Sequence, residues 1–229
     1  MRFLRELSSM AGNPAATAVR QAFVTQPIAL ARPMDKDQER SFLQTLARAL
    51  VSLPFDLKVL LEALSDPDLE HDVREIAAAA VVYIITPREG NIEPYLRYGE
   101  DALMLRLAAR RVAEQGGESA PRFCERFAEE FARFGGELPI FERVCGQGLL
   151  GWLDSRWAFL RKATYARKKI SVFVDDQDVG TFLYDDGLKF GTNYPISETD
   201  LTGRLKQAQP FLDHLHKKWH QDKKRIPQP

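Results

Sequence analysis

Cysteine is scarce in this chain: among 229 residues only Cys124 and Cys145 occur, 21 positions apart and neither in a CxxC pair. That excludes a zinc ribbon, a thioredoxin-like redox centre and a disulfide-stapled secreted scaffold, and free thiols in a reducing compartment are expected. Long hydrophobic runs are missing too. The longest uncharged apolar stretch, residues 76–85, has ten residues, about half of the roughly 20 that span a bilayer. Neither charge sign is in excess: Lys and Arg total 32 and so do Asp and Glu, so no polycationic or polyanionic character assigns a partner. The P-loop and the nucleophile elbow are absent from the sequence, and with them the chemistries those motifs support; Gly146-Gln-Gly148 lies inside helix-like sequence and carries no weight as a nucleotide-binding turn. The basic opening residues meet Glu6 and Ser8-Ser9 before any apolar signal core develops, which predicts a cytoplasmic protein without a leader or a membrane span.

What is present is an ordinary globular composition, 45% hydrophobic and 28% charged, with an uneven distribution of charge. Residues 51–101 hold 11 acids and 4 bases, a balance of −7, whereas residues 152–229 hold 14 bases and 10 acids, a balance of +4. Two readings follow: the lobes dock on one another, or they offer oppositely charged faces to partners.

The periodicity predicts a fold of class α+β, predominantly α: a helical bundle, a small C-terminal antiparallel β-meander, and terminal helices. Residues 1–34 read as an arm broken by Pro14, Pro27 and Pro33, residues 35–160 as a helical domain, and 161–229 as the meander with C-terminal helices packed on the first. Within the helical domain, Asp35 and Asp37 open a helix to about Val51, Pro54 ends it, and a short helix follows over 55–64. Ser65-Asp66-Pro67-Asp68 signals the next start. Its second half, residues 76–85, is apolar all round, as in the central helix of a bundle. Helices are expected from Glu100 or Asp101 to Glu114, over about 120–134, and from Pro139 onward. The β-branched and aromatic runs 169–174, 179–184 and 188–192 predict three strands, with Asp185-Asp186-Gly187 as a hairpin turn. Ser197 to Asp200 reads as a helix cap, and the tail from Gln221 is expected to fray.

The residues Val81-Val-Tyr-Ile-Ile85, Pro87, Glu89, Ile92, Pro94, Gly99, Glu100-Asp101 and Ala102-Leu103 form an apolar helix, a loop with Pro and acids, and a second apolar helix. On these residues the segment from about Asp72 to Arg111 resembles the bacterial YkvA-like family, a domain of unknown function. The resemblance implies a helical hairpin and no established activity.

Several groups of residues are candidates for function. Glu89, Glu100 and Asp101 flank one loop, and such carboxylates could hold a hard cation such as magnesium. The competing explanation places Glu100 and Asp101 at a positive helix end. His71-Asp72 has the form of a metal-binding dyad, but no His precedes it. His216 and His220 share a helical face without an accompanying acid motif. Arg161, Lys162, Arg167, Lys168 and Lys169 are five bases within nine residues that contain no acid, interleaved with Tyr165 and preceded by Trp157 and Phe159. That stretch could bind a partner, with phosphates and stacking bases as one possibility, or it could dock on the acidic lobe. The sequence thus predicts a non-catalytic interaction or regulatory module without a cofactor, with a protein partner preferred to nucleic acid. The alternative is a magnesium-dependent hydrolase built on the 87–101 carboxylates.

Overall fold

The computed structural model of the chain describes residues 34–87, 92–197, 201 and 204–225, with side chains as far as 222. The expected arm over 1–34 and the cap at 197–200 fall almost wholly outside the described residues. The described fold is predominantly helical with one small antiparallel β element.

Helix α1, Lys36–Ser65, begins where the Asp35 carboxylate accepts the Gln38 N–H at 2.8 Å, closing an amide that has no partner within the helix. It runs unbroken through Pro54 for 30 residues, which corrects the expected break there. Proline supplies no N–H to the carbonyl four residues back, and in this chain that carbonyl belongs to Leu50. The Tyr194 hydroxyl donates to the Leu50 carbonyl oxygen at 2.9 Å. A distant side chain thereby replaces the missing bond.

Helix α2 is His71–Ile85 and helix α3 is Pro94–Gln115. Together with α1 they form a mutually packed trio. Ala77, Ala78, Ala80, Val81 and Ile84 are buried, so the apolar half of α2 is enclosed on all sides. Helix α3 begins at Pro94 rather than at Glu100, which places Glu100 and Asp101 in its interior; the expected helix-end position is corrected. Helix α4 is Ala120–Arg126 and helix α5 is Ala128–Cys145. Pro139 is inside α5 and does not start it. Gly135, four residues before, is exposed, so water can reach the carbonyl that Pro139 leaves without a donor. Helices α6, Gln147–Ser155, and α7, Trp157–Leu160, lead to the β element.

Strands β1, Thr164–Tyr165, and β2, Lys168–Lys169, pair antiparallel, Thr164 with Lys169 and Tyr165 with Lys168. The runs expected as three strands are helical instead from Val172 onward: α8, Val172–Asp175, and α9, Gln177–Thr192. The Asp176 carboxylate accepts the amides of Asp178 and Val179 at 3.0 and 3.2 Å and caps α9, and Asp185-Asp186-Gly187, expected as a hairpin turn, lies inside that helix. Leu183 and Gly187 are buried at helical spacing. A Cβ on Gly187 would lie 2.7 Å from Leu61, and one on Gly180 would lie 2.8 Å from the Phe173 carbonyl oxygen. These glycines permit close packing. Local β propensity is overridden because α9 has an apolar stripe to bury against α1.

Helix α10, Gln209–Arg225, continues past Gln221, where fraying was expected. The amide of Ala208, just before it, donates to Glu39 of α1 at 2.9 Å. Phe211 is buried against α3 where Gly99 leaves room for it; a Cβ at Gly99 would lie 2.7 Å from the ring.

Candidate functional site

The basic stretch forms the β hairpin and its approach. Its root is fastened at two points. The Arg161 guanidinium reaches back to α2, with Nη2 2.8 Å from Asp72 and Nε 2.8 Å from Glu75. The Tyr165 hydroxyl donates to Asp186 of α9 at 2.9 Å, while its ring packs at 6.0 Å from the Phe173 ring. Burial, together with the neighbouring Asp186 carboxylate that accepts the phenol proton, pushes the Tyr165 hydroxyl up to about 12. Ile170 is fully buried, and its amide donates to Ala163 at 3.3 Å.

The hairpin turn consists of Ala166 and Arg167, with φ of 46° and 65°. Two-residue turns with positive φ at both positions are ordinarily filled by Asn-Gly. For other side chains, left-handed backbone costs roughly 1–2 kcal/mol per residue. The turn displays its cations regardless of that strain. Lys162, Arg167, Lys168 and Lys169 are all exposed, and none is ion-paired among the described residues. The Phe159 ring, two residues before Arg161, is 66% exposed. The five bases therefore divide: one docks on the acidic lobe, and four face outward.

Among the described residues, His71, Asp72 and Glu75 bring ligand atoms within 4.8 Å of one another. Arg161 already contacts both carboxylates, and the His71 ring is 2.8 Å from Asp175. The guanidinium thus supplies the countercharge that a metal ion would bring.

Of the three carboxylates considered for magnesium, Glu89 falls outside the described residues. Glu100 is fully buried. One of its oxygens takes the Tyr83 hydroxyl and lies 3.3 Å from Arg156 Nη1; the other faces His214 Nε2 at 3.1 Å and the Lys218 ammonium. Asp101, also buried, lies 3.9 Å from Arg97. A cation at Glu100 would have to displace Arg156 or Lys218. The Glu100 cluster instead ties α2, α3, α6's C-terminal end and α10 together, and Lys218 of the basic C-terminal helix is part of it.

Reading the sequence alone missed a second buried charge cluster. Arg106, fully buried on α3, donates to Glu137 at 2.6 Å, to Asp56 at 3.2 Å and to the Ala102 carbonyl at 3.0 Å. Arg133 binds the other Asp56 oxygen at 2.6 Å. Two arginines and two acids cancel in charge, which is how ionised groups persist in a core. The signal was present: Arg106 falls among Ala102, Leu103 and Leu107 on an otherwise apolar helix.

No helix among the described residues is long and apolar enough to cross a membrane. Comparison with protein-family models, with curated proteins and with solved structures finds no match to this chain.

Proposed function

We propose that the chain is a non-catalytic interaction or regulatory module of a bacterial cytoplasm, YkvA-like over its second and third helices, that meets a protein partner through the 162–169 hairpin. The observation that carries this reading is the division of the basic stretch. Arg161 is paired with Asp72 and Glu75, whereas Lys162, Arg167, Lys168 and Lys169 project from a fastened hairpin with no acid paired to them among the described residues. Exposed cations on a rigid element steer association, and their contribution falls as salt shortens the Debye length from about 10 Å at 0.1 M to about 3 Å at 1 M.

Capture from native cytosol with the full chain as bait tests the reading. A protein retained at low salt, released at high salt, and lost with Arg167→Glu/Lys168→Glu is the expected result, with the melting temperature of that variant unchanged. A drop in melting temperature without loss of any partner would mean that the hairpin's bases serve only the fold.

A further inference from the structure

The hairpin carries three features that together narrow the chemistry of what it meets. Its turn places Arg167, rather than glycine, in left-handed backbone directly after Ala166 in the same region. Strain of this kind persists where the surrounding structure over-determines it, and it concentrates at contact sites. Here the over-determination is visible: Arg161, Tyr165 and Ile170 fasten the hairpin root to α2, to α9 and to the core. The guanidinium is thus presented on a preformed support, and its planar fork suits bidentate binding of a carboxylate or a phosphate.

The second feature is the ground on which the hairpin stands. Asp72, Asp175, Asp176, Asp178 and Asp185 are exposed on the α2, α8 and α9 surfaces that hold its root. Only the tip and its flanks are cationic. A long nucleic-acid strand or an extended anionic membrane laid over this region would bring phosphates against that acidic ledge. A compact group of carboxylates would meet the tip alone. The third feature is Phe159, 66% exposed and three residues before Lys162 in the chain. Exposed aromatics and arginines are both enriched where proteins meet proteins.

We infer that the hairpin tip grips an acidic segment of a partner protein, with Arg167 binding a carboxylate of that segment and Phe159 receiving an apolar side chain from it. This inference rests on the interaction-module reading and adds the partner's chemistry to it.

The test uses the full chain and three probes: a labelled glutamate–leucine peptide, a labelled oligothymidine, and vesicles of phosphatidylcholine with phosphatidylserine. The peptide is expected to bind tightest, with an affinity that falls as salt rises. Ala166→Asn/Arg167→Gly gives the turn its preferred residues and removes the guanidinium. It is expected to raise the melting temperature by roughly 3–6 °C while weakening peptide binding roughly tenfold. Ala166→Gly, which relaxes the turn and keeps Arg167, is expected to leave peptide binding unchanged. Peptide binding that is indifferent to the loss of Arg167 would overturn the inference. Tighter binding of oligothymidine or vesicles, abolished by Arg167→Glu/Lys168→Glu, would overturn the acidic-segment chemistry yet keep the hairpin as the contact surface. Binding of none of the probes would overturn the inference, while the interaction-module reading would still be decided by capture from cytosol.

Discussion

Tyr194 shows how a single hydroxyl keeps a long helix continuous. Pro54 deprives the Leu50 carbonyl of its donor, and Tyr194 supplies one from 144 positions away. Tyr194→Phe is expected to destabilise the fold by about 1 kcal/mol. In a Pro54→Ala background the helix provides its own N–H, so the same change should cost measurably less; urea unfolding of the four combinations checks the coupling. Tyr184 and Tyr165 carry a pH signature. The Glu62 carboxylate that accepts the Tyr184 hydroxyl at 2.8 Å pushes it up to about 12, as burial and Asp186 do for Tyr165. Both phenols stay protonated in the fold above the ordinary tyrosine value near 10. Their stabilisation is complete below about pH 10 and is lost as pH rises through about 12. Titration of tyrosine absorbance should accordingly show a late-ionising fraction in the folded chain that unfolding removes. Arg106 is the residue with most to lose. Arg106→Met leaves Asp56 and Glu137 buried without their shared cation, an expected loss of about 3–5 kcal/mol by denaturant unfolding.

At the scale of elements, helical periodicity in the first two thirds of the chain was legible, because α1, α2 and α3 bury their stripes in one another. Boundaries failed where a distant residue intervened: Tyr194 at Pro54, and Phe211 beside Gly99 within α3. The meander failed for a related reason. Residues 172–174 and 179–184 have the composition of strands, yet Gly180 and Gly187 let α9 pack as a helix, and Asp176 caps it. Asp176→Ala is expected to destabilise by about 1 kcal/mol, read as a lower midpoint in urea with an unchanged slope. The true hairpin turn, Ala166-Arg167, contains neither glycine nor asparagine, so turn chemistry could not reveal it. The basic stretch itself was legible from composition. Its division into a docked Arg161 and four outward bases depended on where α2 places Asp72 and Glu75, which no local pattern encodes.

For the whole molecule, the opposed charge balances of the two halves are partly joined internally. Arg161 meets Asp72 and Glu75, and Arg156, His214 and Lys218 converge on Glu100. What remains outward is the cationic hairpin tip above an acidic ledge, so docking and outward roles are separated along one stretch. Paired thermal unfolding of Arg161→Glu and of Lys162→Gln/Arg167→Gln/Lys168→Gln/Lys169→Gln tests that separation most directly. Reversing Arg161 places a third carboxylate against Asp72 and Glu75, which should cost about 2 kcal/mol and lower Tm by roughly 4–8 °C. Neutralising the four outward bases together should leave Tm within about 1 °C of the parent, because exposed charges without partners contribute little to the fold. A fall in the fourfold variant as large as that of Arg161→Glu would mean that the outward bases serve the fold as Arg161 does.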